Sequence, residues 1–245
     1  MKVNIIEDKI EMGHAAAEYV ASVLNKTIVH QGYARIILAT GTSQFDFLVH
    51  LKTLDIPWHK ITVFHLDEYI GVDDQHPASF RKYLKERIID DVKPSIMHYL
   101  NAGAEDISLE INRYESLLKE KPIDIACIGI GENGHIAFND PPVAEFDDPH
   151  WVKVVALDDA CRNQQLGEGW FPSLAEVPTH ALTLTIPAIM HSKIISCVVP
   201  DQRKAEAVKN ALHGEISTDC PASILRTHPD CTLWLDRFST PGDLK

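Results

Sequence analysis

Hydrophobic and polar positions along the chain fall into two recurring patterns. Short apolar-rich runs at residues 34–39, 61–70, 123–130, 181–186 and 193–199 carry many β-branched and aliphatic side chains, as buried strands do. Between them, apolar residues return roughly every three or four positions, the period of a helix packed along one face. Ile10, Ala15, Ala16, Val20, Val23 and Leu24 predict a helix over 9–25, Phe45, Phe47, Leu48 and Leu51 a second, and residues 80–89 a third. Leu109, Ile111, Tyr114, Leu117 and Leu118 mark the core face of a helix over 107–119. Further strands are expected at Lys2–Ile6, on an edge, and at 152–157 and 232–236. A short helix is expected over 186–191, and another runs from Asp201 to His213 and stops at Gly214. No periodicity assigns residues 159–170, and the acidic, proline-containing stretch 143–150 is expected to form a mobile flap. Strands alternating with helices over 245 residues predict a single α/β domain, its mainly parallel sheet flanked by helices.

In such sheets ligands sit beyond the carboxyl ends of the strands, so the residues that follow each run carry the candidate chemistry. The most informative stretch runs from Cys127 to Pro142, C-I-G-I-G-E-N-G-H-I-A-F-N-D-P-P. Gly129, Gly131 and Gly134 fit the spacing of a dinucleotide fingerprint. That fingerprint needs a regular helix to hold a pyrophosphate, whereas Pro141 and Pro142 end this segment after about two turns. A structural turn, for its part, has no need of a titratable imidazole and a carboxylate in one loop. Asn133, His135, Asn139 and Asp140 therefore read as chemistry.

Four other stretches carry candidates. Thr40-Gly41-Thr42-Ser43-Gln44 joins a strand to a helix, where backbone N–H groups and hydroxyls can cradle an anion, although simple N-capping by Thr42 or Ser43 explains them equally well. No G-K-[S/T] follows, so this is not a Walker A loop. Asp67 and Glu68 end the 61–70 run. Adjacent residues on an extended backbone face opposite sides, so at most one carboxylate enters a pocket, and solvated surface acids are the alternative. Ser79 opens the helix over 80–89 as an N-cap or a substrate contact. Lys204 sits in a first helical turn, where the dipole disfavours a cation. A bound anion would account for it, with solvent exposure as the alternative and as the reading for Arg203.

Composition narrows the function. A net charge of −12 argues against a nucleic-acid or anionic-membrane surface, and a 45% hydrophobic content suffices for a sizeable core. The five cysteines form no C-x-x-C pair and are odd in number, which reads as reduced thiols, with Cys127 and Cys197 in strands. No apolar run approaches the roughly 20 residues of a membrane span. Glu7, Asp8, Lys9 and Glu11 interrupt any signal-peptide core, so a cytoplasmic protein is expected. His65 lies close to Asp67, but no H-x-x-x-H or H-E-x-x-H pair supports zinc, so neither a metal nor a cofactor is expected.

The segment G-I-G-E-N-G-H-I-A-F-N-D-P resembles the central motif of the glucosamine-6-phosphate deaminase (isomerase) family, G-[IV]-G-x-[DN]-G-H-[IL]-[AG]-F-N-E-P. T-G-T-S at 40–43, L-D-E-Y at 66–69, H-P-A-S-F at 76–80 and P-A-S-I-L-R-T-H-P at 221–229 are similar to further motifs of that family, in the same order. The resemblance thus spans residues 34–236. It implies a modified Rossmann-type fold and the conversion of D-glucosamine 6-phosphate and water to D-fructose 6-phosphate and ammonium, within amino-sugar catabolism and without a cofactor. On matching positions it implies Asp67 as the proton shuttle and His135 as the ring-opening group, with Asp140 and Asn133 orienting it. Thr40, Gly41, Thr42, Ser43 and Lys204 would hold the phosphate, and Glu68, Gly131, Gly134 and Ser79 would support substrate binding. Many relatives carry a phosphate-binding arginine near 167–169; none stands in register here, and Arg162 is the substitute on offer.

Two departures from the motif matter for the chemistry. Asp140 replaces the usual Glu, which retracts the carboxylate by about 1.5 Å. Asn133 stands where many relatives have Asp and others Asn, which removes a negative charge beside His135. Only Lys153 is basic within 151–155, so an N-acetylglucosamine 6-phosphate activator site is not expected. Monomeric and hexameric relatives leave a homo-oligomer open. The alternative readings are a deaminase for galactosamine 6-phosphate, a 6-phosphogluconolactonase, and a non-catalytic sugar-phosphate sensor. F-N-D-P-P and L-D-E-Y weigh against the lactonase, and retention of Asp67 and His135 weighs against the sensor.

Overall fold

The computed structural model describes residues 1–244. Strand β1 (Lys2–Ile6) leads to helix α1 (Lys9–Gln31), whose first turn is capped by Asp8 accepting from the N–H groups of Ile10 and Glu11 at 2.8 and 3.2 Å. The helix runs past its expected end at Asn25 and stops at Gly32, whose φ of 86° suits a C-terminal left-handed cap. Next come β2 (Ala34–Leu38), α2 (Phe45–Leu51), β3 (Ile61–His65), β4 (Asp67–Tyr69), α3 (Phe80–Leu84), α4 (Asp90–Val92), β5 (Ile96–Met97), α5 (Ile107–Glu120) and β6 (Ile125–Ile128). The chain continues through β7 (Val152–Ala156), α6 (Asp159–Gly167), β8 (His180–Leu184), α7 (Ile186–Met190), β9 (Ile194–Val199), α8 (Ala205–His213) and β10 (Cys231–Asp236).

Seven strands form one sheet in the order β1-β10-β9-β6-β2-β3-β5, every pair parallel. Its strands alternate between two cores. On one face Met12, Ala16, Val20 and Leu24 of α1 pack with Leu48 of α2 against Ile36, Leu38 and Cys127. On the other, Tyr114 and Leu118 of α5 and Val208 of α8 pack against Ile37, Ala126 and Ile195. Burial on both faces explains the uninterrupted apolar runs of the central strands. The α/β, mainly parallel, Rossmann-type architecture is the one expected. Among the described residues no helix is long and apolar enough to cross a membrane.

The run 61–70 departs from expectation. It forms two strands in two sheets: β3 pairs with β2, whereas β4 pairs antiparallel with β8 in a second, three-stranded sheet of order β4-β8-β7. The chain leaves the first sheet at His65, where the Tyr114 hydroxyl accepts from the His65 N–H at 2.9 Å and lies 3.0 Å from the His65 carbonyl oxygen. Leu66 then accepts from the Leu184 N–H at 2.8 Å, which starts the second pairing. None of residues 143–150, expected as a flap over the site, lines the cavity at the strand ends. Val143 and Ala144 donate to the Asp140 carbonyl, and buried Asp148 holds Lys153 at 2.8 Å. The stretch 159–170, unassigned from its pattern, contains α6.

Candidate functional site

A cavity of about 490 Å³ opens where β2, β3, β6 and β9 end. Strand ends supply its floor because each chain must turn there into a loop, which frees backbone and side chains from sheet pairing. Thr40, Gly41, Thr42 and Ser43 follow β2, Asp67 follows β3, Gly129 to Gly131 follow β6, and Asp201, Arg203 and Lys204 follow β9.

Asp67 lines the cavity although it is only 6% exposed. Burial, reinforced by the neighbouring Glu68, pushes its carboxyl well above the ordinary range. Glu68 points the other way and does not line the cavity. Its carboxylate accepts from Ser79 Oγ at 2.9 Å, from the N–H groups of Phe80 and Arg81 at 3.1 and 3.0 Å, and from Arg81 Nε at 3.1 Å. Burial raises the Glu68 carboxyl, and these donors offset part of that. Glu68 therefore anchors the start of α3 behind Asp67 instead of meeting a ligand. Ser79 is likewise the N-cap of α3, accepting from the Lys82 N–H at 3.3 Å. His65 is a core histidine: burial pushes it down to about 3, and Nε2 accepts from the Leu100 N–H at 2.8 Å.

The loop after β6 builds an oriented imidazole. His135 Nδ1 lies 2.7 Å from Asn133 Oδ1 and 2.8 Å from Asp140 Oδ1, and Asn133 Nδ2 donates to the same Asp140 oxygen at 2.8 Å. Both neighbours of Nδ1 are acceptors, so the proton sits on Nδ1 and Nε2 is left free to act. Burial raises the Asp140 carboxyl, but hydrogen bonds and charge from His135, with Asn133 and the Cys161 thiol, outweigh it and leave Asp140 below its ordinary value. The shorter Asp140, standing where a longer acid was expected, still reaches the ring. Gly131 is required here because a Cβ on it would overlap Cε1 and Nε2 of His135. Gly134 adopts a φ of 86°, which favours glycine, and packs against Cys220. Neither Asn133, Asp140 nor Gly134 lines the cavity; they stand behind His135, which does.

The cavity is also lined by a buried cation. Lys204 is 6% exposed, and no carboxylate among the described residues pairs with it. Burial lowers its pKa, which Glu168, Glu132 and Asp201 partly offset. On the loop after β2 the Thr42 and Ser43 hydroxyls are not spent on capping, because the segment Thr42–Gln44 and helix α2 have no side-chain cap, and Ser43 Oγ accepts from Gln44 Nε2 at 3.0 Å. Gly41, with φ of 95°, gives that loop its turn.

Arg203 is 47% exposed, the solvent-facing side chain expected from sequence, and it also borders the cavity and pairs with Asp201 at 3.1 Å and Glu132 at 3.4 Å. Arg162 departs from its expected role. Its guanidinium donates to the carbonyls of Leu174 and Val177 at 2.6 and 3.1 Å and stays out of the cavity. Instead α6 and the residue after it contribute Gln164, Gln165 and Glu168, none of them singled out from sequence. Lys9 was also missed. It opens α1 as Lys204 precedes α8, and the same signal of a cation in a first turn would have found it.

The donor atoms of His135, Asp140 and Cys161 lie within 4.8 Å of one another, a spacing that admits a metal ion. The imidazole is already committed, however, because Nδ1 is held by Asn133 and Asp140. A buried carboxylate and an oriented imidazole face one cavity that is also lined by a buried lysine and by the Thr40–Ser43 loop, an arrangement suited to acid–base chemistry on a small anionic molecule.

The chain belongs to the family described as glucosamine-6-phosphate isomerases/6-phosphogluconolactonase, whose signature it matches over residues 7–234. It is 32% identical to the glucosamine-6-phosphate deaminase of Bacillus cytotoxicus, over 97% of this chain and 87% of that protein. Among solved structures it superposes on a monomeric glucosamine-6-phosphate deaminase with a TM-score of 0.90 at 33% identity, covering 100% of both chains. A 6-phosphogluconolactonase from Shewanella baltica shares the fold, with a TM-score of 0.79 at 15% identity over 96% of this chain and 97% of that one.

Proposed function

We propose that this chain converts D-glucosamine 6-phosphate and water to D-fructose 6-phosphate and ammonium, as a step of amino-sugar catabolism carried by a single domain. The observation that carries the reading is the pairing of a buried Asp67 with a His135 whose Nδ1 is fixed by Asn133 and Asp140. The similarity to proteins named for this activity supports it.

The phosphate is held by Lys204 with the Thr40 to Ser43 loop, which sets the sugar along the cavity toward Asp67 and His135. His135 Nε2 relays a proton between the anomeric hydroxyl and the ring oxygen, which opens the ring to the aldehyde. Asp67 then takes the C2 proton, giving an enolamine with a C1–C2 double bond, and returns a proton to C1. The product is a C2 imine, which water hydrolyses to the ketone with release of ammonium. A base acts best with a pKa near the working pH, and burial moves Asp67 in that direction. The superposition on a deaminase described as monomeric supports a site built from one chain. A phosphorylated substrate and five buried, unpaired thiols fit a cytoplasmic enzyme.

The test is a coupled assay for fructose 6-phosphate and ammonium from glucosamine 6-phosphate, with galactosamine 6-phosphate and 6-phosphogluconolactone in parallel. Equal release of both products from the first is expected. Activity confined to one of the other two substrates would reassign the enzyme, and binding without any turnover would make it a sensor.

A further inference from the structure

The loop that orients His135 is itself gripped from α6. Oδ1 of Asp140 is taken by Asn133 Nδ2 and His135 Nδ1. Oδ2 is fully buried and receives no N–H or O–H from the described residues. A buried carboxylate oxygen left bare is costly, so a donor is called for. The Cys161 side chain, 1% exposed, brings Sγ within 4.8 Å of an Asp140 carboxylate oxygen, in the cluster the two form with His135. Cys161 is fixed there because its own N–H donates to the N-cap Asp158 at 2.7 Å, which sets the first turn of α6.

We infer that Cys161 is a positioning residue for the acid–base pair: its thiol donates to the otherwise bare side of the Asp140 carboxylate and so ties the cavity wall formed by α6 to the orientation of His135. The inference rests on the reading of His135 as the ring-opening group. Burial, and then the charge of Asp140, keep the thiol protonated and therefore a donor. A second link joins the same two elements, since the Glu132 N–H donates to Gln164 Oε1 at 3.2 Å. One turn of α6 thus touches the back of the imidazole pair through Cys161, while Gln164 and Gln165 line the cavity in front of it.

The consequence is electrostatic. Without the thiol, the Asp140 charge has one donor fewer and becomes a stronger acceptor for the His135 Nδ1–H. That favours the imidazolium, so the His135 midpoint moves up. The other charged or titratable groups that bear on this cluster, Asp67, Asp158 and Tyr69, are unchanged by substitution at Cys161.

The experiment is an NMR titration of the 15N-labelled His135 ring in ligand-free wild type, Cys161→Ala, Cys161→Val and Cys161→Ser, followed by kcat and KM on glucosamine 6-phosphate. Valine fills the space without a donor, so it carries the test if the alanine variant folds poorly. Loss of one hydrogen bond of ordinary strength, from a weak donor such as a thiol, corresponds to an upward shift of about 0.5–1 pH unit in the Ala and Val variants. A fall in kcat with little change in KM accompanies it, and Cys161→Ser stays close to wild type. Midpoints that coincide in all four proteins would overturn the inference, as would a serine variant shifted as far as the alanine one. The titration needs no substrate, so it reports even where wild type fails to turn over glucosamine 6-phosphate, an outcome that would sink the proposed reaction alone.

Discussion

Nδ1 of His135 sits 2.8 Å from Oδ1 of Asp140, inside a pocket that leaves the carboxylate 1% exposed. That distance fixes both the tautomer and the direction of the ring, and it is reached with the shorter of the two acidic side chains. Asp140→Asn keeps the shape but offers an amide that can turn its NH₂ toward Nδ1. The free nitrogen then carries the wrong proton, and kcat is expected to fall by about 10²–10⁴, the usual worth of a positioned acid–base group. Steady-state kinetics beside a melting curve check this: the melting temperature should change little while the rate collapses.

Gly131 gives the complementary test from the other side of the ring. Its missing Cβ is the space occupied by Cε1 and Nε2 of His135. Gly131→Ala therefore displaces the imidazole without touching any catalytic group, and a displacement of about 1 Å is enough to cost on the order of 10²-fold in rate. Circular dichroism should show an intact fold, and a variant with wild-type kcat would show that His135 is not held where the reaction needs it.

Lys204 is buried without an ion-pair partner among the described residues, and burial lowers its pKa. A lysine lowered on folding gives up stability while it stays charged, so removing the charge does not destabilise the free protein. Lys204→Met is expected to melt no lower than wild type in plain buffer. The thermal gain that inorganic phosphate gives wild type should be lost in the variant. KM for glucosamine 6-phosphate rises about 10- to 100-fold, the range of one charge-assisted hydrogen bond, while kcat moves less. A phosphate-dependent gain equal in both proteins would place the phosphate elsewhere.

Asp67 carries a cost that its function explains. Its carboxyl is raised by burial and then by Glu68. A carboxyl raised on folding contributes its stability below the unfolded value and loses it as pH climbs through the folded one. Asp67→Asn, which cannot ionise, should therefore be more stable than wild type above about pH 4, with the gap widening as pH rises toward the folded value. Each kcal/mol corresponds to about 2–4 °C in a chain of this size. Calorimetry at pH 5 and pH 8 measures the gap; a difference that stays flat would mean that Asp67 is not strained by its site.

Much of this arrangement is written in the local pattern. The central strands are legible because both of their faces are buried, and the loop after β6 is legible because glycines, an imidazole and a carboxylate crowd into a few positions. What stays hidden depends on partners distant in sequence. Leu66 continues an apolar run, so nothing local marks the switch from one sheet to the other; the break is made by Tyr114, which binds both backbone groups of His65. Helix α6 escapes periodicity for a different reason. Part of its inner face looks into the cavity, so Gln164 and Gln165 stand where a helix against a core would carry apolar side chains. Helix α1 continues past Asn25 through the β-branched Thr27, Ile28 and Val29, and the signal that ends it is Gly32. Arg162 shows the limit of matching by register, since an arginine near the right position turns to two carbonyls of its own segment.

The central claim is that one carboxylate, Asp67, moves a proton from C2 to C1. It is tested most directly with glucosamine 6-phosphate deuterated at C2, turned over by wild type and by Asp67→Asn, with the fructose 6-phosphate read by NMR. The account predicts that wild type delivers part of the deuterium to C1 and loses the rest to solvent, and that Asp67→Asn, although folded, is slowed about 10²–10⁴-fold. A variant that turns over at the wild-type rate, with the same share of deuterium at C1, would contradict it.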